Sequence, residues 1–197
     1  MRHKRLLITC IITILFLLGD ISDLSAKDIT YSGRVIDADT KEPIEGAVVV
    51  AEWIKERPGI AGPITFPKDV KETLTDKNGE WSIVGPKSNR NDLLPGLLSF
   101  IGFYMIREPT FIVFKPGYCS WSFAALSIKF CKENRKAYGD YKDDIGRTIE
   151  LPKLTKKEDR IMSQSIGIMG GKGAVEKQKE FIRLLNEEKR NLGLEEY

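Results

Sequence analysis

From residue 29 onward, apolar and polar residues alternate with a period of two, and short clusters of Gly, Pro, Asn and Asp interrupt the alternation. This is the pattern of half-buried strands joined by turns. Ile29, Tyr31, Gly33 and Val35 fall on one face of a first strand, which a turn over residues 37–43 ends. Residues 47–54 are a nearly continuous apolar run, as expected of a central strand covered on both sides. Residues 57–68 carry several prolines and glycines and read as a loop insertion, after which 70–75 rejoin the sheet. In the next turn Asn78 and Gly79 both tolerate positive φ, which predicts a hairpin between 70–75 and 80–84 with Trp81 and Ile83 on the core side. Residues 111–114 form another apolar strand, stopped by Pro116 and Gly117. In the stretch that follows, Cys119, Trp121 and Phe123 share a face opposite Tyr118, Ser120 and Ser122, and 148–151 read as a last strand before Pro152. About seven short strands at such intervals predict an all-β fold, an Ig-like or transthyretin-like antiparallel β-sandwich.

The pattern changes at Pro152. Thr155 and Glu158 match a capping box, in which each side chain satisfies an unpaired N–H at a helix start. A glycine-rich break over 167–173 separates this start from a longer helix over 174–191, with Val175, Ile182 and Leu185 on one side and Gly193 placed to end it. Residues 153–197 are therefore expected to be a helical C-terminal tail.

At the other end, Arg2, Lys4 and Arg5 precede an uncharged apolar run over 6–18, the arrangement of a secretory signal. Gly19 and Asp20 stop the run short of the about 18 apolar residues that a membrane span needs. Ser25 and Ala26 offer a cleavage point, whereas Cys10 lies inside the run rather than after it, where a lipoprotein acceptor would stand. The expected organisation is a signal peptide over 1–26, a sandwich over 27–152 and the tail, in a protein of the periplasm or cell surface. An uncleaved signal would make an N-terminal membrane anchor.

Charge and chemistry narrow the function. The chain of 197 residues has 31 Lys+Arg against 28 Asp+Glu, a formal charge of +3 with both signs interspersed, so nothing asks for nucleic acid as a partner. The one histidine, His3, lies in the signal. Its loss removes Ser-His-Asp and Cys-His nucleophiles and the His-rich sites of most catalytic zinc enzymes. No catalytic set, cofactor or metal site is expected, and the chain does not read as an enzyme. Cys119 and Cys131 remain in an oxidising compartment, and spacing leaves open whether they are bridged or are two packed thiols.

Sharper readings meet plain ones. The glycines around Lys172 lack both the spacing and the following hydroxyl of a phosphate-binding loop. Asp76, Asn78 and Glu80, with Asp37 and Asp39, offer oxygens for calcium, but without the spacing of a calcium loop they read as turns. Asp143 and Asp144, just before Gly146, suit a turn better than acid–base work. Trp53, Trp81 and Trp121 would make a sugar platform if exposed, although Trp81 and Trp121 stand at core parity. Leu94, Leu97, Leu98, Phe100 and Phe103 lie in an apolar stretch over 93–106 that either packs on the fold or presents a patch to a partner or a membrane surface.

Three elements together resemble a known family. The first runs through Gly33, Val35, Asp37, Thr40, Pro43, Gly46 and Ala47, the second through Thr75, Asp76, Gly79 and Trp81, and the third is Gly117 and Tyr118. Their order across about residues 28–151 is similar to that of carboxypeptidase regulatory-like domains, and the residues quoted are turn and core residues. The resemblance implies a transthyretin-like sandwich that lends binding or stability and has no catalysis of its own. The 55–68 insertion and the helical tail depart from the family pattern. The resulting expectation is an exported, non-catalytic binding or scaffold module of the cell envelope, whose partner is another envelope protein or a surface polymer. The alternatives are a carbohydrate-binding module and a small secreted hydrolase, which would need a base other than histidine.

Overall fold

The computed structural model describes residues 29–59, 62–86, 104–121, 131, 148–171 and 173–197. The signal (1–26), Leu94, Leu97, Leu98, Phe100, Phe103, Phe123, Asp143, Asp144 and Lys172 lie outside the described residues. Two sheets form. The first holds β1 (Thr30–Asp37) between β4 (Glu80–Val84) and β7 (Thr148–Leu151). The second is built on β2 (Val48–Arg57), with β3 (Ile64–Leu74) along one side and β5 (Met105–Ile106) and β6 (Thr110–Phe114) along the other. The architecture is all-β, with only two short helices, α1 (Lys157–Ser163) and α2 (Lys179–Leu192), among the described residues.

The strand alternation explains where the core sits. Tyr31, Val35, Trp81, Ile83, Ile149 and Leu151 of the first sheet meet Val49, Ala51, Trp53, Phe111 and Val113 of the second. β2 is buried on both faces, because Val48 and Val50 point the other way and are covered, with Val70, Ile112 and Phe114, by Phe181, Leu184 and Leu185 of α2. This second core accounts for the nearly continuous apolar run over 47–54.

Several expectations need correction. β1 pairs with β7 in parallel, so the first sheet is mixed rather than purely antiparallel; the connection a parallel pair needs is the chain between β1 and β7, which passes through the second sheet. Residues 64–68 are strand, not loop. Pro67 is accommodated because β3 is the edge of the path β3-β2-β5 and the ladder has an irregularity beside it, between Trp53 and Ile54. β3 and β4 make no ladder with each other: β3 pairs with β2 and β4 with β1, so the Asp76–Gly79 turn is a corner between sheets rather than a hairpin turn.

Cys119 and Trp121 do not share a face. Tyr118 bridges Lys153 and Trp121 bridges Val113, so this segment crosses between the sheets as isolated bridges and period two does not apply. Trp121 enters the inter-sheet core, and Cys119 packs with Cys131 and Leu154.

In the tail, α1 starts after Lys156 without a side-chain cap, one residue beyond the expected Thr155. The second helical stretch is broken at Gln178 into a 3-10 turn (Val175–Lys177) and α2, which turns Val175 outward; of the expected face Leu185 is buried, and Phe181, Leu184, Glu188 and Leu192 are buried with it. Gly193 ends α2 at φ 70°, in the left-handed region that glycine adopts without a Cβ penalty.

Candidate functional site

The motif residues meet at one pole of the sandwich, where the chain leaves β1, enters β2, rounds the β3–β4 corner and leaves β6. Asp37 is buried, and one carboxylate oxygen accepts the N–H groups of Asp39 (2.8 Å) and Thr40 (3.0 Å). Its other oxygen accepts the Tyr118 hydroxyl at 3.1 Å. Burial alone would push this carboxyl up, but the backbone donors of Thr40 and Asp39 with the Tyr118 hydroxyl outweigh it and hold Asp37 below the usual carboxylate range. Burial, and then the same bond to Asp37, push the Tyr118 phenol above its ordinary value.

Thr75 closes the entry to β2. Its hydroxyl donates to Ile44 O at 2.6 Å and accepts the Ala47 N–H at 2.8 Å. Asp76 takes the N–H groups of Asn78 and Glu80 on one oxygen, at 2.9 and 2.8 Å. Gly79, at φ 75°, passes so close to β1 that a Cβ there would lie 2.2 Å from Val35 O. Gly79 O in turn accepts the Val35 N–H at 2.8 Å. Gly46, at φ 68°, lies under Lys115, whose ammonium donates to Glu45 O. Pro43 bridges Ile36 across the turn. Gly33, Val35, Ala47 and Trp81 carry the frame inward, and Gly117 turns the chain at φ 80° into Tyr118. The structure thus brings the three sequence elements together: one oxygen each of Asp37 and Asp76 and the Thr75 hydroxyl are held by backbone groups, and the second Asp37 oxygen by the Tyr118 hydroxyl.

Other candidates resolve differently. Trp53, Trp81 and Trp121 are 2%, 6% and 6% exposed, so none offers a flat face to a sugar. Trp53, the least determined of the three from sequence, packs in the inter-sheet core with its ring centroid 6.0 Å from that of Tyr31. In the glycine-rich break, Gly170 donates its N–H to Glu52, and a Cβ on it would lie 2.4 Å from Val70, so this glycine serves close packing. Cys119 and Cys131 are joined in a disulfide with both residues fully buried. Ser163 of α1 is tied to the same segment, donating to Tyr118 O and accepting the Ser120 N–H.

What remains open to solvent is the outer face of the first sheet. Ser32 stands opposite Ser82, and Arg34 stands opposite Glu80 on one side and Thr148 on the other. Cross-strand partners point the same way, so these side chains form one polar strip. With Thr73 and Asp76 at the β3–β4 corner they line a wide-mouthed cleft of about 670 Å³. Arg34 is held in place by its bond to Asn78 O at 2.8 Å. Hydroxyls, a guanidinium and carboxylates on rigid strands can hydrogen-bond a polar ligand. Sequence reading missed this face because its residues are ordinary outward-facing strand positions; the polar halves of β1 and β4 were the available signal. Among the described residues no group of three or more metal-binding side chains comes together. No family model, curated protein or solved structure matches the chain.

Proposed function

We propose that the chain is a non-catalytic, exported binding module of the cell envelope, a sandwich of the transthyretin-like kind akin to carboxypeptidase regulatory-like domains. One observation carries this reading: Asp37 and Thr75 spend their side-chain oxygens on the frame, and Asp76 does so with one of its two, while the polar strip around Ser32, Arg34 and Ser82 lies open on the first sheet. A frame built this way holds a surface in position rather than a nucleophile and its base. The buried disulfide supports export, since such bonds persist in oxidising compartments.

The test is fractionation of cells followed by site-specific photo-crosslinking from Ser32 and Ser82. Recovery outside the cytoplasm in oxidised form, with one dominant adduct from these positions and none from Glu195, is the expected result. A reduced, cytoplasmic protein would overturn the export half of the reading. An exported protein that gives no adduct from the strip would overturn its use as the binding surface.

A further inference from the structure

Beyond Trp53 the inner face of β2 runs past the shared core, and its chemistry changes. Lys55 pairs with Phe66 and Ile106, and Arg57 pairs with Ile64, so these residues share one side of the sheet. Tyr104 joins them: its ring meets Phe66 edge-on at 6.0 Å, and Lys55 Nζ lies 5.4 Å from its centroid. The Arg57 guanidinium lies 5.5 Å from the Phe66 centroid. Ile64, Phe66, Tyr104 and Met105 are 40%, 39%, 42% and 42% exposed. Met105 pairs with Glu56 and therefore stands on the opposite face, so apolar side chains protrude from both sides of this tip. Among the described residues neither Lys55 nor Arg57 has a carboxylate partner, whereas the intervening Glu56 is engaged by Arg107 at 2.6 Å.

We infer that this tip docks on an anionic lipid surface. The inference rests on the envelope reading above and assigns a partner to the end of the molecule opposite the motif pole. Two features favour lipid over other partners. Lys55 and Arg57 already cover ring faces of Tyr104 and Phe66, which removes them as stacking platforms for sugars. Apolar groups on both faces of the tip, Met105 on one and Ile64 and Phe66 on the other, fit a medium that surrounds it, whereas a folded protein partner covers one face. Aromatic and basic side chains together are the residues that favour the headgroup layer, and unpaired cations there are attracted by anionic lipid.

Co-sedimentation of the full chain with vesicles of phosphatidylcholine mixed with phosphatidylglycerol, and with phosphatidylcholine alone, tests this. Because Arg2, Lys4 and Arg5 of the N-terminal run also respond to anionic lipid, the deciding reading comes from variants of the tip. Lys55→Gln with Arg57→Gln is expected to weaken binding to the anionic vesicles by about fivefold per cation, about 25-fold together, and to leave binding to the neutral vesicles unchanged. Phe66→Ser with Tyr104→Ser is expected to weaken binding to both. Unchanged thermal midpoints show that the variants remain folded. Variants that bind anionic vesicles as the wild type does would overturn the inference. So would a cross-link from the tip to an envelope protein that the variants abolish while vesicle binding persists. Either outcome leaves the envelope reading standing, since that fails only on the fractionation test above.

Discussion

The Glu72 carboxylate on β3 accepts the backbone N–H of Phe181 at 3.0 Å, so a strand side chain caps the first turn of the C-terminal helix. Its second oxygen takes the Glu180 N–H at 2.9 Å. These are orphan donors at the positive end of a helix, where a carboxylate is favoured both as an acceptor and as a charge. Glu52 and Asp69 act alongside, taking the Gly170 N–H and the Lys177 ammonium. Three carboxylates of the second sheet therefore hold the tail over Val48, Val50 and Val70.

Replacing Glu72 with Ala is expected to lower stability by about 1–2 kcal/mol, the usual loss for a helix cap with a dipole contribution. A urea titration should show a lower midpoint with an unchanged slope. Glu187, which makes only an exposed pair with Arg183, provides the control: Glu187→Ala should change stability by no more than about 0.5 kcal/mol.

Two glycines with the same backbone sign should respond very differently to Ala. Gly171 has φ 71° and nothing within 4 Å of a built Cβ, so Gly171→Ala incurs only the left-handed backbone cost, about 1–2 kcal/mol. At Gly79 the methyl would meet Val35 O at 2.2 Å and break the tie between the corner and β1. Gly79→Ala should therefore exceed about 3 kcal/mol and fall among severe substitutions. Comparing the two midpoints under one set of conditions checks the difference.

The Asp37 carboxyl is held below its ordinary value in the folded state. A group depressed in this way stabilises the fold fully above its unfolded pKa, and the contribution is lost as pH falls through the folded one. Stability should accordingly drop on the acid side, below the ordinary aspartate value of 3.8. Asp37→Asn should lower stability at neutral pH and flatten this acid limb, and Tyr118→Phe should remove part of the dependence. Denaturant titrations at a series of pH values provide the reading; an acid limb unchanged in Asp37→Asn would refute the assignment.

The disulfide joins residues 12 apart, and each of its cysteines is fully buried. Cys119→Ser with Cys131→Ser should cost about 2–4 kcal/mol, as expected for a loop of this size. Thiol titration of the native protein should detect no reaction at these positions until unfolding, and a free thiol in the folded protein would contradict the bridge.

Much of the frame was legible because it is local. The alternation in β1 and β4 placed Tyr31, Trp81 and Ile83 on the core side, where they are buried, and the apolar run of β2 announced two covered faces. The failures are non-local. Pro67 argued for a loop, and only the edge position of β3 makes it tolerable. The Asp76–Gly79 turn looked like a hairpin because its local chemistry is that of one, but β3 already pairs with β2, its neighbour in sequence, and the partner that draws β4 into the other sheet, β1, lies far back in the chain. Glu72 carried no sign of its role, since Glu180, the first of the helix amides it caps, stands 108 residues later. The open polar strip was invisible for the same reason: Ser32 and Ser82 become neighbours only when β1 and β4 pair.

α2 is a fixed part of the fold that seals the second core, not a free arm for recruiting partners. Native-state hydrogen exchange on the oxidised protein tests this most directly. The account predicts that the amides of Leu184 and Leu185 open with the same free energy as those of Val48 and Val50 in β2. Exchange of the helix amides at a much lower free energy, with the sheet still protected, would contradict it.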